Sequence, residues 1–177
     1  MNAGAVRARA QRPLRPAAPA LPPFEQLDRT HRRVLELIEQ LERMLEQLEA
    51  GGPDEQVRAI AQDAHEFFAT QARQHHADEE RHVFPALLAS GDAELMQHVR
   101  RLQQDHGWLE EDWLELAPQI EALAKGYNWY DPAVLRHAVP VFRALYEEHI
   151  GLEEALIYPE ARKRQALPAA GSEGDRG

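Results

Sequence analysis

The sequence predicts an all-α fold, an up-down-up-down four-helix bundle, on three observations. Apolar residues recur in steps of four and three from Phe24 to about Lys163. Leu, Glu, Ala, Gln and Arg are abundant, while Ser, Thr and β-branched runs are scarce, a composition that favours helix. Three clusters of Gly, Pro and Asp divide the periodic region into four pieces. With 177 residues the chain is long enough for one domain with a substantial core.

Residues 1–23 are Ala, Arg and Pro without an apolar period and read as a disordered arm, since they offer nothing to bury. Prolines interrupt any stretch that could act as a secretory signal. From Phe24, Leu27, His31, Val34, Ile38, Leu41, Leu45 and Leu48 form the stripe of a helix facing a core. Gly51-Gly52-Pro53-Asp54 ends it and starts a second helix, predicted from about Asp54 to Ser90. One side of that helix reads Val57, Ala61, Ala64, Phe68, Gln71, His75, Glu79 and His82, and Pro85 is expected to kink its last turns. Asp92 is a good N-cap for the third helix, whose stripe is Leu95, Val99, Leu102, His106, Leu109, Trp113, Leu116, Ile120 and Leu123. Asp131-Pro132 opens the fourth, with Ala138, Phe142, Leu145, His149, Leu152 and Leu156 inward. The bundle is thus assigned to residues 24–163, and residues 164–177 to a flexible tail.

The formal charge is −10, and Arg7, Arg9, Arg12 and Arg15 in the arm leave −14 on the rest. An acidic body argues against nucleic acid as a partner. No cysteine is present, which excludes disulfides and Cys-ligated zinc or iron–sulfur sites. No run approaches the ~18 apolar residues of a membrane span, so a cytoplasmic protein without a membrane partner is expected.

One stretch is written twice. His75-His76-Ala77-Asp78-Glu79-Glu80 with Phe84-Pro85 is matched by His149-Ile150-Gly151-Leu152-Glu153-Glu154 with Tyr158-Pro159. A histidine and a carboxylate four residues apart share a helix face and can chelate. At ~1.5 Å per residue, His31 and His75 lie roughly 28 and 32 Å from the first turn. His75 and His106 lie about 22 and 21 Å from the second turn, and His106 and His149 about 27 and 26 Å from the third. All four imidazoles therefore fall in one layer, with Glu79 and Glu153 one turn below. Two buried carboxylates without compensation would each cost several kcal/mol, and a metal centre supplies the missing positive charge. Imidazole with carboxylate suits iron, manganese or zinc, but six converging donors exceed a four-ligand zinc site, and two ions bridged by the carboxylates fit the count.

The pattern of His31, His75 with Glu79, His106, and His149 with Glu153 resembles the hemerythrin-like family, the HHE cation-binding domain, over about residues 24 to 163. The resemblance implies a non-haem centre of two iron ions, oxo- or hydroxo-bridged, with manganese or zinc as substitutes. It implies Glu79 and Glu153 as bridges, His31 and His75 on one iron, and His106 and His149 on the other. Oxygen-carrying members have a second histidine four residues after the one on the third helix, where this chain has Glu110, read as inward and a candidate seventh ligand. The repeat selects His75 with Glu79 over the rival pair His76 with Glu80, and leaves Glu80 and Glu154 as solvent-facing groups or supports of the ligands. His82 aligns with Leu156 and is expected to face inward, whereas His65, His98 and His137 lie two or more turns from the layer. The functions so implied are binding or sensing a diatomic ligand such as dioxygen or nitric oxide, consuming dioxygen or peroxide, or handling and storing iron. No signalling or electron-transfer domain is recognisable alongside the bundle, so a sensor is expected to act through a separate protein partner or a homodimer.

Overall fold

The computed structural model describes residues 24–166, which form helices joined by short turns. The first rod is α1, Phe24–Gly51, and its predicted stripe is buried together with Leu37 and Met44. Gly52, at φ +80°, terminates it in the left-handed conformation that glycine adopts without a Cβ penalty, its N–H donating to the Leu48 carbonyl. The second rod comprises α2 (Glu55–Glu66), a π-helical segment (Phe67–Ala72), α3 (Arg73–His82) and, after a break at Val83 next to Pro85, α4 (Phe84–Leu88). The third is α5, Ala93–Ala124, which runs unbroken through Pro118. The fourth contains α6 (Pro132–Leu152), a second π-helical segment (Glu153–Ile157) and α7 (Tyr158–Ala166). Asp54, Asp92 and Asp131 each cap a helix by accepting from the backbone N–H of Val57, Leu95 and Ala133 respectively.

α1 packs on α2 and α6, and α5 packs on the same two helices. Arg136 at the start of α6 reaches Glu49 at the end of α1, while Arg162 in α7 reaches Asp28 at the start of α1. The first and fourth rods therefore run in opposite senses, consistent with the predicted up-down course. Two apolar clusters fill the bundle. The larger is centred on Leu41, Phe68, Leu116 and Phe142, and the smaller on Leu27, Phe84, Leu102 and Tyr158. The polar layer lies between them.

The π-helical segments change the inward face. A π turn takes one more residue than an α turn, so the chain beyond it is rotated relative to a straight α-helical reading. In the second rod Ala72 is buried where the periodicity places Gln71, and His75 and His76 are both inward. In the fourth rod Ile157, inside the second segment, is buried where the periodicity places Leu156; ahead of that segment, in ordinary α-helix, Tyr146 and Ile150 are buried and Leu145 and Leu152 only partly so. α7 carries the helix past Lys163 to Ala166. The predicted arm, residues 1–23, and the tail beyond residue 166 lie outside the described residues.

Candidate metal centre

Four rods deliver the polar layer. α1 supplies His31, α3 supplies His75, His76 and Glu79, α5 supplies His106, and the fourth rod supplies His149 at the end of α6 and Glu153 at the first π-helical position. All seven are buried, and Glu79 and Glu153 have no exposed surface at all. Their donor atoms form three groups, the members of each within 4.8 Å of one another. These are His31, His75, Glu79 and Glu153; Glu79, His106, His149 and Glu153; and His76, His106 and His149.

The two glutamates join the first two groups. Glu79 Oε2 lies 3.5 Å from His75 Nε2 and 3.4 Å from His106 Nε2. Glu153 Oε2 lies 3.1 Å from His31 Nε2 and 3.3 Å from His149 Nε2. Behind the imidazoles stand further carboxylates. His106 Nδ1–H donates to Glu80 at 3.0 Å and His31 Nδ1–H to Glu154 at 3.1 Å, an orientation that turns each Nε2 lone pair toward the glutamates. Asp105 Oδ2 is 4.0 Å from His149 Nδ1, too far for a direct hydrogen bond. Tyr158 stacks on His31, donates its hydroxyl hydrogen to Glu79 Oε1, and places its oxygen 3.1 Å from His31 Nε2. Phe84, its counterpart in the repeat, stacks on His106 with no hydroxyl to offer.

The electrostatics are those of a site lacking its counter-charge. Burial pushes the Glu153 carboxyl well above its ordinary range, and the neighbouring Glu79 charge adds to that. Glu79 is held low despite its burial, by His75, His106 and His31. Burial lowers His75 to about 4 and His76 well below its usual value. His106 is raised, because Glu79 and Glu80 together outweigh its burial. Among the described residues, eleven buried side-chain N and O atoms have no hydrogen-bond partner, and nine of them belong to His75, His76, Glu79, His106, His149 and Glu153. Orphaned polar atoms are costly in an interior. Their concentration around converging lone pairs fits a cation site.

The Hemerythrin HHE cation-binding domain model matches residues 23–161 of this chain. The chain belongs to the hemerythrin HHE cation-binding domain family. This hemerythrin-like chain is also 31% identical over 91 residues to an uncharacterised protein of Haemophilus influenzae, covering 51% of each. It thus spans about half the length of the curated relative it matches. No solved structure matches it.

The hemerythrin-like layer departs from the sequence expectations at three places. His76, expected to lie aside, is only 4% exposed and stacks on His106 with ring centroids 4.1 Å apart. The His-His pair was the available signal: adjacent helical residues are about 100° apart, and a wide inward face takes both, as it takes Leu37 with Ile38 in α1. Glu110, expected inward, joins none of the three groups; its side chain is 44% exposed and 3.8 Å from Arg73. It lies about 40° around α5 from His106, at the edge of the inward face, where Leu109 and Trp113 take the buried positions. His82 is half-buried and also outside the groups. The break at Val83 follows it directly and lets Val83 and Phe84 take the inward positions.

Proposed function

We propose that the layer holds two iron ions and that the protein binds or senses a small oxidant, dioxygen or nitric oxide. The nine orphaned atoms carry this reading: two fully buried carboxylates face the Nε2 edges of His31, His75, His106 and His149, the last two without a hydrogen-bond partner, and cations between them would satisfy both sets of lone pairs. Glu79 and Glu153 would bridge the two positions. His31 and His75 would serve one, and His106 and His149 the other. His76 would add a fifth imidazole on the second side, at a place where Glu110 had been the sequence candidate.

When bound, a pair of irons supplies reversible one-electron chemistry and affinity for diatomic ligands. The chain's own contribution is orientation and exclusion of water. Glu80 and Glu154 fix the imidazole tautomers of His106 and His31, and Tyr158 fixes the Glu79 carboxylate. Phe68, Trp113 and Phe142 keep the adjoining space apolar.

Metal analysis of the purified chain after anaerobic loading should give about two irons, and one or none would count against the pair. Visible spectra under argon, air and nitric oxide then distinguish the activities. A band lost on deoxygenation and restored by air supports reversible binding. Steady loss of added peroxide would move the assignment to a consuming enzyme, and iron handed to a chelator on reduction would move it to iron handling.

A further inference from the structure

Beside the polar layer, between the π-helical segment of the second rod and α5, lies a cavity of about 270 Å³. Its volume is roughly nine times the ~30 Å³ share of a water molecule, so a diatomic gas would leave most of it empty. An apolar cavity of ~150 Å³ already accepts benzene. The walls are Phe68, Leu109 and Trp113, with Phe68 and Trp113 tilted toward each other at 5.1 Å between ring centroids.

The inner end carries two polar groups, His76 and Tyr146. Neither ring nitrogen of His76 has a hydrogen-bond partner, although the residue is 4% exposed. One nitrogen serves the group with His106 and His149, and the second remains an unanswered polar atom on a ring that lines the cavity. The His76 and Tyr146 side chains are both buried, so a charge placed beside them would lose its water. The charged residues Arg73 and Glu110 are largely exposed and pair with each other at 3.8 Å.

We propose that this cavity is a binding site for a neutral single-ring aromatic bearing one hydroxyl group, its ring held between Phe68, Leu109 and Trp113 and its hydroxyl meeting His76. The aromatic walls select a flat apolar body. The buried end selects a group that can exchange a hydrogen bond without bringing a charge. An anionic ring would have to bury its charge there or displace Glu110 from Arg73. The proposal goes beyond the metal reading and does not require it, since no wall of the cavity other than His76 belongs to the layer.

The test is calorimetric titration of the full-length chain with phenol, benzoate and cyclohexanol, in metal-loaded and chelator-stripped forms. Saturable one-to-one binding of phenol is expected, with cyclohexanol and benzoate each weaker by about tenfold or more. Ala69 and Ala117 also line the cavity, and Ala69→Leu and Ala117→Phe, two separate ways of filling it, should each weaken phenol by at least about tenfold while leaving the circular dichroism spectrum and metal content unchanged. Phenol binding by a chain that takes up no iron would sustain the cavity and remove the metal reading, which keeps the two distinguishable. Absence of saturable phenol binding, tighter binding of benzoate, or binding indifferent to both fillings would overturn the proposal.

Discussion

His31, His75, His106 and His149 each face a glutamate with Nε2, and what stands behind the ring differs from residue to residue. His149 has no hydrogen bond behind it and lies 3.3 Å from Glu153. His149→Ala should therefore release about one of two metal equivalents and lower the melting temperature of the loaded protein, read by metal analysis and thermal denaturation. Glu110→Ala is the contrasting substitution. An exposed ion pair contributes little, so it should leave metal content unchanged and shift stability by no more than ~0.5 kcal/mol. Glu80 and Glu154 act through the imidazoles they orient, and Glu80→Ala or Glu154→Ala should weaken metal binding by about 10- to 100-fold in a competition titration against a chelator. Fold retention in the metal-free variants would separate these effects from collapse of the bundle.

At the scale of the element, the π-helical segments decide which residues meet the layer. Ala72 is buried and Gln71 is exposed, so Ala72→Gln should cost about 2 kcal/mol or more by overfilling the core, whereas Gln71→Ala should be nearly neutral in urea denaturation. Equal effects would mean that the second rod is α-helical throughout. This is also the scale at which sequence reasoning loses its grip. Periods of three and four located all four rods, and aspartate caps at Asp92 and Asp131 located two of their starts, because both signals depend on the local backbone alone. His31, His75, Glu79, His106, His149 and Glu153 were legible because a repeated motif and a count of helical rise fix height without fixing rotation. His76 and Glu110 were misplaced because their orientation depends on rotation about the axis and on how wide a face each rod buries; ahead of His76 the π segment adds a rotation that no simple residue pattern announces. The break after His82 likewise came earlier than Pro85 alone would suggest.

For the molecule as a whole, the layer couples stability to pH. Unfolded His75 takes up its proton near 6.5 and folded His75 near 4, so between those values the unfolded chain binds more protons. Stability of the metal-free protein should therefore fall as the pH is lowered from about 6.5 to about 4. His76 and His149, lowered by burial, act in the same sense, while Glu79, held low by its histidines, adds to the fall only below its ordinary 4.5. Glu153, raised, acts in the opposite sense and makes the slope shallower, whereas the raised His106 acts only above 6.5. Melting curves of the metal-free chain across this range check the sign, and His75→Gln should flatten them. No helix among the described residues is long and apolar enough to cross a membrane.

The duplicated motif is not duplicated in its surroundings, since Tyr158 presents a hydroxyl where Phe84 presents only carbon, and His76 has no twin because Ile150 stands in its place. Two berths with unlike furnishings should not fill together. Stepwise addition of metal should pass through a singly occupied species, and gentle stripping should stop at it, so a form with one ion is a state in which this protein can be caught and compared with the full one.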